Sequence, residues 1–362
     1  MLNYSVAELR YKKIFMGIAA VAALTLVSCS SDDLNSLSDN SSKNEAISFD
    51  GYLGRSAVAV NGSRGSVLDK DALQKSAEGF GVFGNYSEET APVYGENLFK
   101  NQKVTYSTPE SKWTYSPKKY WSTKGHIDFL AYAPYVESTT LTDSKINFTV
   151  EDQIGKQKDL LWANVKGQTK TDKPVTFTFN HALAKIGYAV KKGVDDNNVT
   201  ITLNKITLAG SATDPAKGAF YTDGTIDLSK DLSKADNATA LWTDCKGEQP
   251  FTWSTSFPKV TSSSFSAGSD YLFVIPQNFS KSTAEGGTKA DELYVIVDYT
   301  ISYNDGVTAA MKSTVSSPIV KNFEQGKAYT FNLTLGLTPI EFDVTTVQGW
   351  TDTTQGEINS WN

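Results

Sequence analysis

Val175-Thr176-Phe177-Thr178-Phe179 alternates apolar and hydroxyl-bearing residues without a break. Successive side chains of an extended chain point to opposite faces, so the run predicts a strand with Val175, Phe177 and Phe179 buried and both threonines in water. The same period of two recurs in Ile47-Ser48-Phe49, in Val199-Thr200-Ile201-Thr202-Leu203 and in Tyr329-Thr330-Phe331-Asn332-Leu333. Strands with one apolar face need a second layer to cover it. Many such short strands, parted by turn residues, predict an all-β chain built from β-sandwiches.

Asp-Gly pairs tolerate the positive φ values of tight hairpins. They predict turns at Thr222-Asp223-Gly224, between Phe220-Tyr221 and Ile226, and at Asn304-Asp305-Gly306, after Ile301-Ser302-Tyr303. Helical signals are sparse; the strongest, from Asp152 to Trp162, amounts to one or two turns.

The chain has 362 residues, enough for two domains of ordinary size. A polar stretch from Lys166 to Lys173 ends at Pro174 and halves the strand-rich region, which gives expected domains at 46–172 and 173–362. The apolar content of 40% supports real cores, and a net charge of −6 without a basic block gives the chain no electrostatic draw to nucleic acid or to an anionic bilayer surface.

An apolar run from Ile14 to Val27 follows Lys12 and Lys13. It is shorter than the roughly 20 residues that span a bilayer and reads as a secretory signal. Its end, Leu26-Val27-Ser28-Cys29, resembles a bacterial lipobox. That resemblance implies cleavage between Ser28 and Cys29, removal of residues 1–28, and acyl chains on Cys29 that hold the protein to a membrane. Ser30-Ser31-Asp32-Asp33, directly behind, resembles the export signals of Bacteroidetes lipoproteins bound for the outer face of the outer membrane. Residues 29–45 are too polar to bury anything and read as a flexible tether. With Cys29 acylated, Cys245 has no cysteine partner, so packing and sheet hydrogen bonds must supply the stability.

Several motifs look chemical without the context that chemistry needs. Gly79-Phe80-Gly81-Val82-Phe83-Gly84 spells a dinucleotide fingerprint, yet no helix follows it, and its glycines instead suit a strand packed closely beneath aromatic rings. The two histidines, His126 and His181, adjoin strand segments and read as packed or hydrogen-bonded residues; with no cysteine cluster beside them, no zinc site is expected. Asp195-Asp196-Asn197-Asn198 lacks calcium-loop spacing and reads as a turn. The adjacent pairs Glu151-Asp152 and Asp291-Glu292 point to different faces and cannot serve as convergent glycosidase carboxylates. No nucleophile elbow or zincin motif is present. The expectation is a protein without catalytic residues, cofactor or metal.

Five further segments carry a family resemblance: Gly79-Phe80-Gly81-Val82-Phe83; Tyr120-Trp121 with Ile127-Asp128-Phe129-Leu130-Ala131-Tyr132-Ala133-Pro134; Phe179-Asn180-His181-Ala182-Leu183-Ala184-Lys185-Ile186; Phe273-Val274-Ile275-Pro276-Gln277; and Tyr329-Thr330-Phe331-Asn332-Leu333 with Val347-Gln348-Gly349-Trp350. In this order the chain resembles the fimbrillins of Bacteroidetes, subunits of type V pili. The resemblance implies two tandem transthyretin-like β-sandwiches behind a cleaved lipoprotein signal.

It also implies a route of assembly. An arginine-specific protease cuts the lipid-anchored precursor after its first strand, and a carboxy-terminal strand of another fimbrial subunit fills the groove that opens. Here the first strand carries Ile47, Phe49 and Leu53, and Arg55 follows it directly; Arg64, in a Gly/Ser-rich stretch, is the alternative site. At the other end Ile340, Phe342 and Val344 alternate, and Val347 and Trp350 extend the apolar supply. By pattern alone, residues 340–362 either donate a strand or close their own domain as an ordinary edge. The expected location is the outer membrane for the precursor and a surface fimbrium afterwards, with a host or bacterial surface receptor or glycan as a further partner. The competing class is a monomeric glycan-binding surface lipoprotein, in which exposed Trp113, Tyr115, Tyr120 and Trp121 stack on sugar rings.

Overall fold

The computed structural model describes residues 45–53, 70–231, 241–262, 264–279, 292–337 and 341–347. The first part of the chain forms β1 (Phe49–Leu53), α1 (Lys70–Lys75), β2 (Phe80–Ser87), β3 (Phe99–Ser107), β4 (Lys112–Thr114), β5 (His126–Ala133) and β6 (Lys145–Thr149). Next come β7 (Leu161–Gln168), β8 (Val175–His181), β9 (Ala184–Lys192), β10 (Val199–Ala209), β11 (Asp223–Asp227), β12 (Trp242–Lys246) and β13 (Phe251–Trp253). The chain continues through β14 (Ser266–Ala267), β15 (Leu272–Val274), β16 (Gln277–Asn278), β17 (Tyr294–Tyr303), β18 (Met311–Pro318), β19 (Asn322–Phe323), β20 (Ala328–Leu335) and β21 (Glu341–Val347). The fold is all-β, as the period-two runs predict, and β8, β10 and β20 contain three of those runs whole.

The first seven-stranded sheet has the order β1-β8-β7-β5-β2-β3-β4. Its central strands are buried on both faces. Along β5, Phe129, Ala131 and Ala133 face one apolar cluster, while Leu130 and Tyr132 face a second; along β7, Leu161 and Ala163 oppose Trp162 in the same way. Strict alternation divides these residues between two cores, which is why the segment from Ile127 to Ala133 reads as nearly continuous apolar sequence.

The first cluster lies against one face of this sheet and takes in Trp113 of β4 with Tyr115 and Trp121 from the segment that follows it. The second joins the sheet's other face to the strands that follow. There β13-β10-β17-β18 form one sheet, and β14-β9-β20-β21 another, with β15 also paired to β9. Strand β6 leaves the first half to pair with β11, placing Ile146 opposite Ile226.

One local expectation is corrected, and two further segments are placed. Asp223 and Gly224 lie within β11 rather than in a turn; a side chain at Gly224 would meet the Trp242 ring at 2.9 Å, so this glycine gives an aromatic neighbour room. The helical signal near residue 152 yields a single 3-10 turn, Ile154–Lys156, because Leu161 and Trp162 are drawn into β7. The polar stretch 166–174 joins β7 to β8 within one sheet, and the chain passes to the second group of strands after His181. The Asn304-Asp305-Gly306 expectation holds: β17 and β18 form a hairpin around it.

Candidate assembly site

Strand β1 lies at the edge of the seven-stranded sheet, parallel to β8, with Phe49 opposite Val175, Gly51 opposite Phe177 and Leu53 opposite Phe179. Ile47 and Phe49, just before and at its start, are only 1% and 3% exposed. The Phe49 ring sits among those of Phe99, Tyr115, Phe129 and Phe177, with centroids 5.3 to 5.7 Å away. Burial of two such side chains stabilises the sheet by about 1.5–3 kcal/mol each.

The backbone around β1 is held from both sides. The Val175 N–H donates to the Ser48 carbonyl at 2.8 Å, and the Ile47 N–H donates to the Lys119 carbonyl at 2.8 Å. The Tyr115 hydroxyl donates to the Ile47 carbonyl at 2.7 Å. Burial pushes the Tyr115 phenol up to about 12. Removal of this segment would leave an aromatic trough with the Val175 N–H and the Tyr115 hydroxyl along its walls without their Ser48 and Ile47 acceptors.

At the far end, β21 pairs antiparallel with β20, so that Phe342 is opposite Leu333, Val344 opposite Phe331 and Val347 opposite Ala328. Val344 is half-buried against the second cluster, and Asp343 Oδ1 accepts the Val344 N–H at 2.8 Å. Strand β21 is the edge of its sheet. Cys29, Ser28, Arg55, Arg64, Ile340 and Trp350 lie outside the described residues.

The residues examined for chemistry have structural partners. His126 Nε2 lies 3.0 Å from Asp128 Oδ2, and His181 Nδ1 lies 2.8 Å from Asp159 Oδ2. Asp128 is fully buried and also accepts the Val93 and Gly167 N–H groups, each at 2.7 Å. No group of three metal-binding side chains occurs among the described residues. In the dinucleotide-like stretch, a Cβ at Gly81 would run into the Tyr132 ring, which accounts for that glycine by close packing.

The expectation of four exposed aromatics is corrected at three of them. Trp113, Tyr115 and Trp121 belong to the first core, at 5%, 7% and 9% exposure, with Phe80 of β2 packed on Trp113 and Phe49 of β1 on Tyr115; of the four, Tyr120 alone is open, at 47%. Sequence reading missed α1, whose Leu73 enters the same core and whose Ala-Leu-Gln-Lys run is a helix-forming composition. It also missed a feature of arginine usage: the chain contains Arg10, Arg55 and Arg64 and no other arginine, against 31 lysines.

The described residues form an all-β body whose edge strand covers an aromatic core. The chain belongs to the fimbrillin-like family, whose model matches residues 67–350. It is 27% identical over 269 residues to Fim1C of Bacteroides uniformis, a candidate fimbrium subunit, covering 65% of this chain and 84% of that one. The fold matches that of a fimbrial protein from Bacteroides vulgatus with a TM-score of 0.63 at 20% identity, over 85% of this chain and all of that one. It also matches a candidate cell adhesion protein from Bacteroides ovatus, with a TM-score of 0.51 at 14% identity, over 86% of this chain and all of that one.

Proposed function

We propose that the chain is a fimbrial subunit of the cell surface, exported as a lipoprotein and assembled by protease-activated strand exchange. Signal cleavage ahead of Cys29 and acylation of its thiol tether the precursor to the outer membrane. An arginine-specific protease then cuts after Arg55, or after Arg64, and frees the lipid anchor together with β1. The opened trough accepts the carboxy-terminal segment from Ile340 onward of another subunit. In this reading the body is two tandem transthyretin-like sandwiches, and the finished location is a fimbrium.

One observation carries the reading. Everything after Arg64 is free of arginine while keeping 28 lysines, so cationic side chains are retained and a single protease specificity is excluded. Lysine and arginine serve equally well on most solvated surfaces, and only sites needing a planar fork distinguish them. A protease of that specificity can therefore act at the strand-plug boundary and nowhere in the folded body. The plug itself, Ile47 and Phe49, lies immediately ahead of Arg55.

The test treats the purified chain with an arginine-specific protease, then reads the new amino terminus and the products on SDS gels. Ser56 or Gly65 as first residue, with SDS-resistant ladders, is the expected result. A chain that stays monomeric after quantitative cleavage would sink the assembly reading. For the anchor, a Cys29→Ala chain that still incorporates labelled palmitate would do the same to the lipoprotein step.

A further inference from the structure

Strand β18 is the open edge of the β13-β10-β17-β18 sheet and the longest edge among the described residues. Its eight residues hold an unbroken register against β17. Open edges are ordinarily blunted by shortness, charge, proline or a bulge. Here β4, β13 and β14 have only two or three residues, and β12 bulges at Asp244, where φ is 53°. Between Lys312 and Pro318, β18 carries Ser313-Thr314-Val315-Ser316-Ser317 and none of these devices.

The Ile319 N–H donates to the Leu293 carbonyl at 2.7 Å, which fixes the alternation along the pair. Main-chain groups of Ser313, Val315 and Ser317 turn towards β17, and those of Lys312, Thr314 and Ser316 turn outward. Pro318 takes the next outward place, where a missing N–H costs the sheet nothing. Open apolar side chains flank the strand. Val307, Val320 and Met311 are the three most exposed large apolar residues among those described, at 90%, 67% and 51%.

We infer that β18 is a lateral self-association edge, which pairs antiparallel with β18 of a second copy about a two-fold axis at Thr314. The outward groups are symmetric about that residue. Each Thr314 exchanges both main-chain bonds with its counterpart, and each Lys312 with the other copy's Ser316, about six hydrogen bonds in all. The same pairing carries the hairpin tip of one copy, with Val307 and Met311, to the Val320 end of the other. Lys312 stands opposite a serine, and the two lysines lie about 14 Å apart, beyond the screening length of about 8 Å in physiological salt. A second copy supplies this match of donors, apolar ends and charge without any further partner. The contact uses neither β1 nor β21 and is independent of strand exchange. It is narrower than a standard interface, so free chains pair weakly and the edge acts where many copies stand side by side.

Sedimentation equilibrium of the uncut chain tests the pairing, with a reversible dimer expected. Ser316→Glu places a carboxylate opposite Lys312 of the other copy, twice per dimer, and should tighten it about fivefold; Ser316→Lys should weaken it by a similar factor. Both effects should shrink in 1 M salt. Ser316→Pro removes an outward N–H and no bond to β17, so a monomer with the parent's far-UV spectrum is expected. In a chain carrying Cys29→Ala and Cys245→Ser, Thr314→Cys should give a disulfide dimer on oxidation, and Lys312→Cys none. A monomer at every concentration up to about 1 mM would overturn the inference. So would a dimer that responds alike to Glu and Lys at 316, or one that cross-links through 312 and not 314. Association that appears only when a different surface protein is added would overturn the self-partner.

Discussion

Phe49 stacks on Phe177 of the neighbouring parallel strand, ring centroids 5.7 Å apart and planes at 29°. The contact ties a five-residue edge strand to the deepest part of the first core. Phe49→Ala should cost about 3–5 kcal/mol in the uncut chain, the usual range for removing a buried phenylalanine. Urea unfolding measures it. After cleavage the same variant should lose its leader fragment sooner than the parent on gel filtration. A cost below about 1 kcal/mol would show that β1 is a surface passenger.

Arginine exclusion makes a prediction opposite in sign to ordinary conservative substitution. Lys170 lies exposed in the connection between β7 and β8. Lys170→Arg should leave folding within about 0.5 kcal/mol of the parent, yet expose the body to the arginine-specific protease. Mass spectrometry of the digest should show a cut after residue 170 that the parent lacks. An intact body would mean that this loop is closed to proteases.

Tyr115 reports on the trough. Its phenol is raised to about 12, chiefly by burial. A group raised in the folded state adds stability that is full below its unfolded value, near 10, and is lost as pH rises through about 12. Departure of β1 opens the trough to water and takes away the Ile47 carbonyl. In the cut, unassembled chain the titration of Tyr115, isolated as the difference from Tyr115→Phe, should therefore fall back towards 10. An unchanged midpoint would show the trough still filled.

Asp128 ties the loop at Val93 and the β7 residue Gly167 to one carboxylate. Its loss in Asp128→Ala leaves the Val93 and Gly167 N–H groups without their acceptor, at about 1–3 kcal/mol for each donor that stays buried. Asp128→Asn keeps one oxygen and should cost less. Equal stability of both variants by denaturant unfolding would mean that water replaces the carboxylate.

Asp305 shapes the β17–β18 hairpin turn. The Thr308 hydroxyl, with the Thr308 and Val307 N–H groups, holds its carboxyl near 2. The stabilisation is present above the ordinary aspartate range and is lost as pH falls through about 2. Thr308→Ala should move the NMR titration midpoint of Asp305 up towards that range, while a midpoint already there in the parent would contradict the hairpin geometry.

Much of the fold could be read from residue periodicity, because one-sided burial leaves a period of two. Strands β8, β10 and β20 show it directly. Where a strand is buried on both faces, as β5 is, the alternation between two cores is invisible in composition, and only the layers reveal that Phe129 and Leu130 serve different ones. Asp223-Gly224 misled for a different reason. Glycine answers both to positive φ and to crowding, and at Gly224 the Trp242 ring decides. The buried Trp113 and Tyr115 were not separable from surface aromatics, because the rings that meet them, Phe80 of β2 and Phe49 of β1, come from strands far earlier in the chain. One feature of the sequence was legible but easily lost. Arginine depletion vanishes when Lys and Arg are summed as charge.

The core shared by the two halves has a mechanical meaning. Phe83, Leu130, Tyr132 and Trp162 of the first sheet belong to one apolar cluster with Ile186, Phe220 and Phe331 of the second group of strands, and β6 is woven into the far half. Neither half can tilt on the other without opening dry surface to water, so the body should melt as a single calorimetric transition. A fimbrium built of such bodies would be stiff within each one.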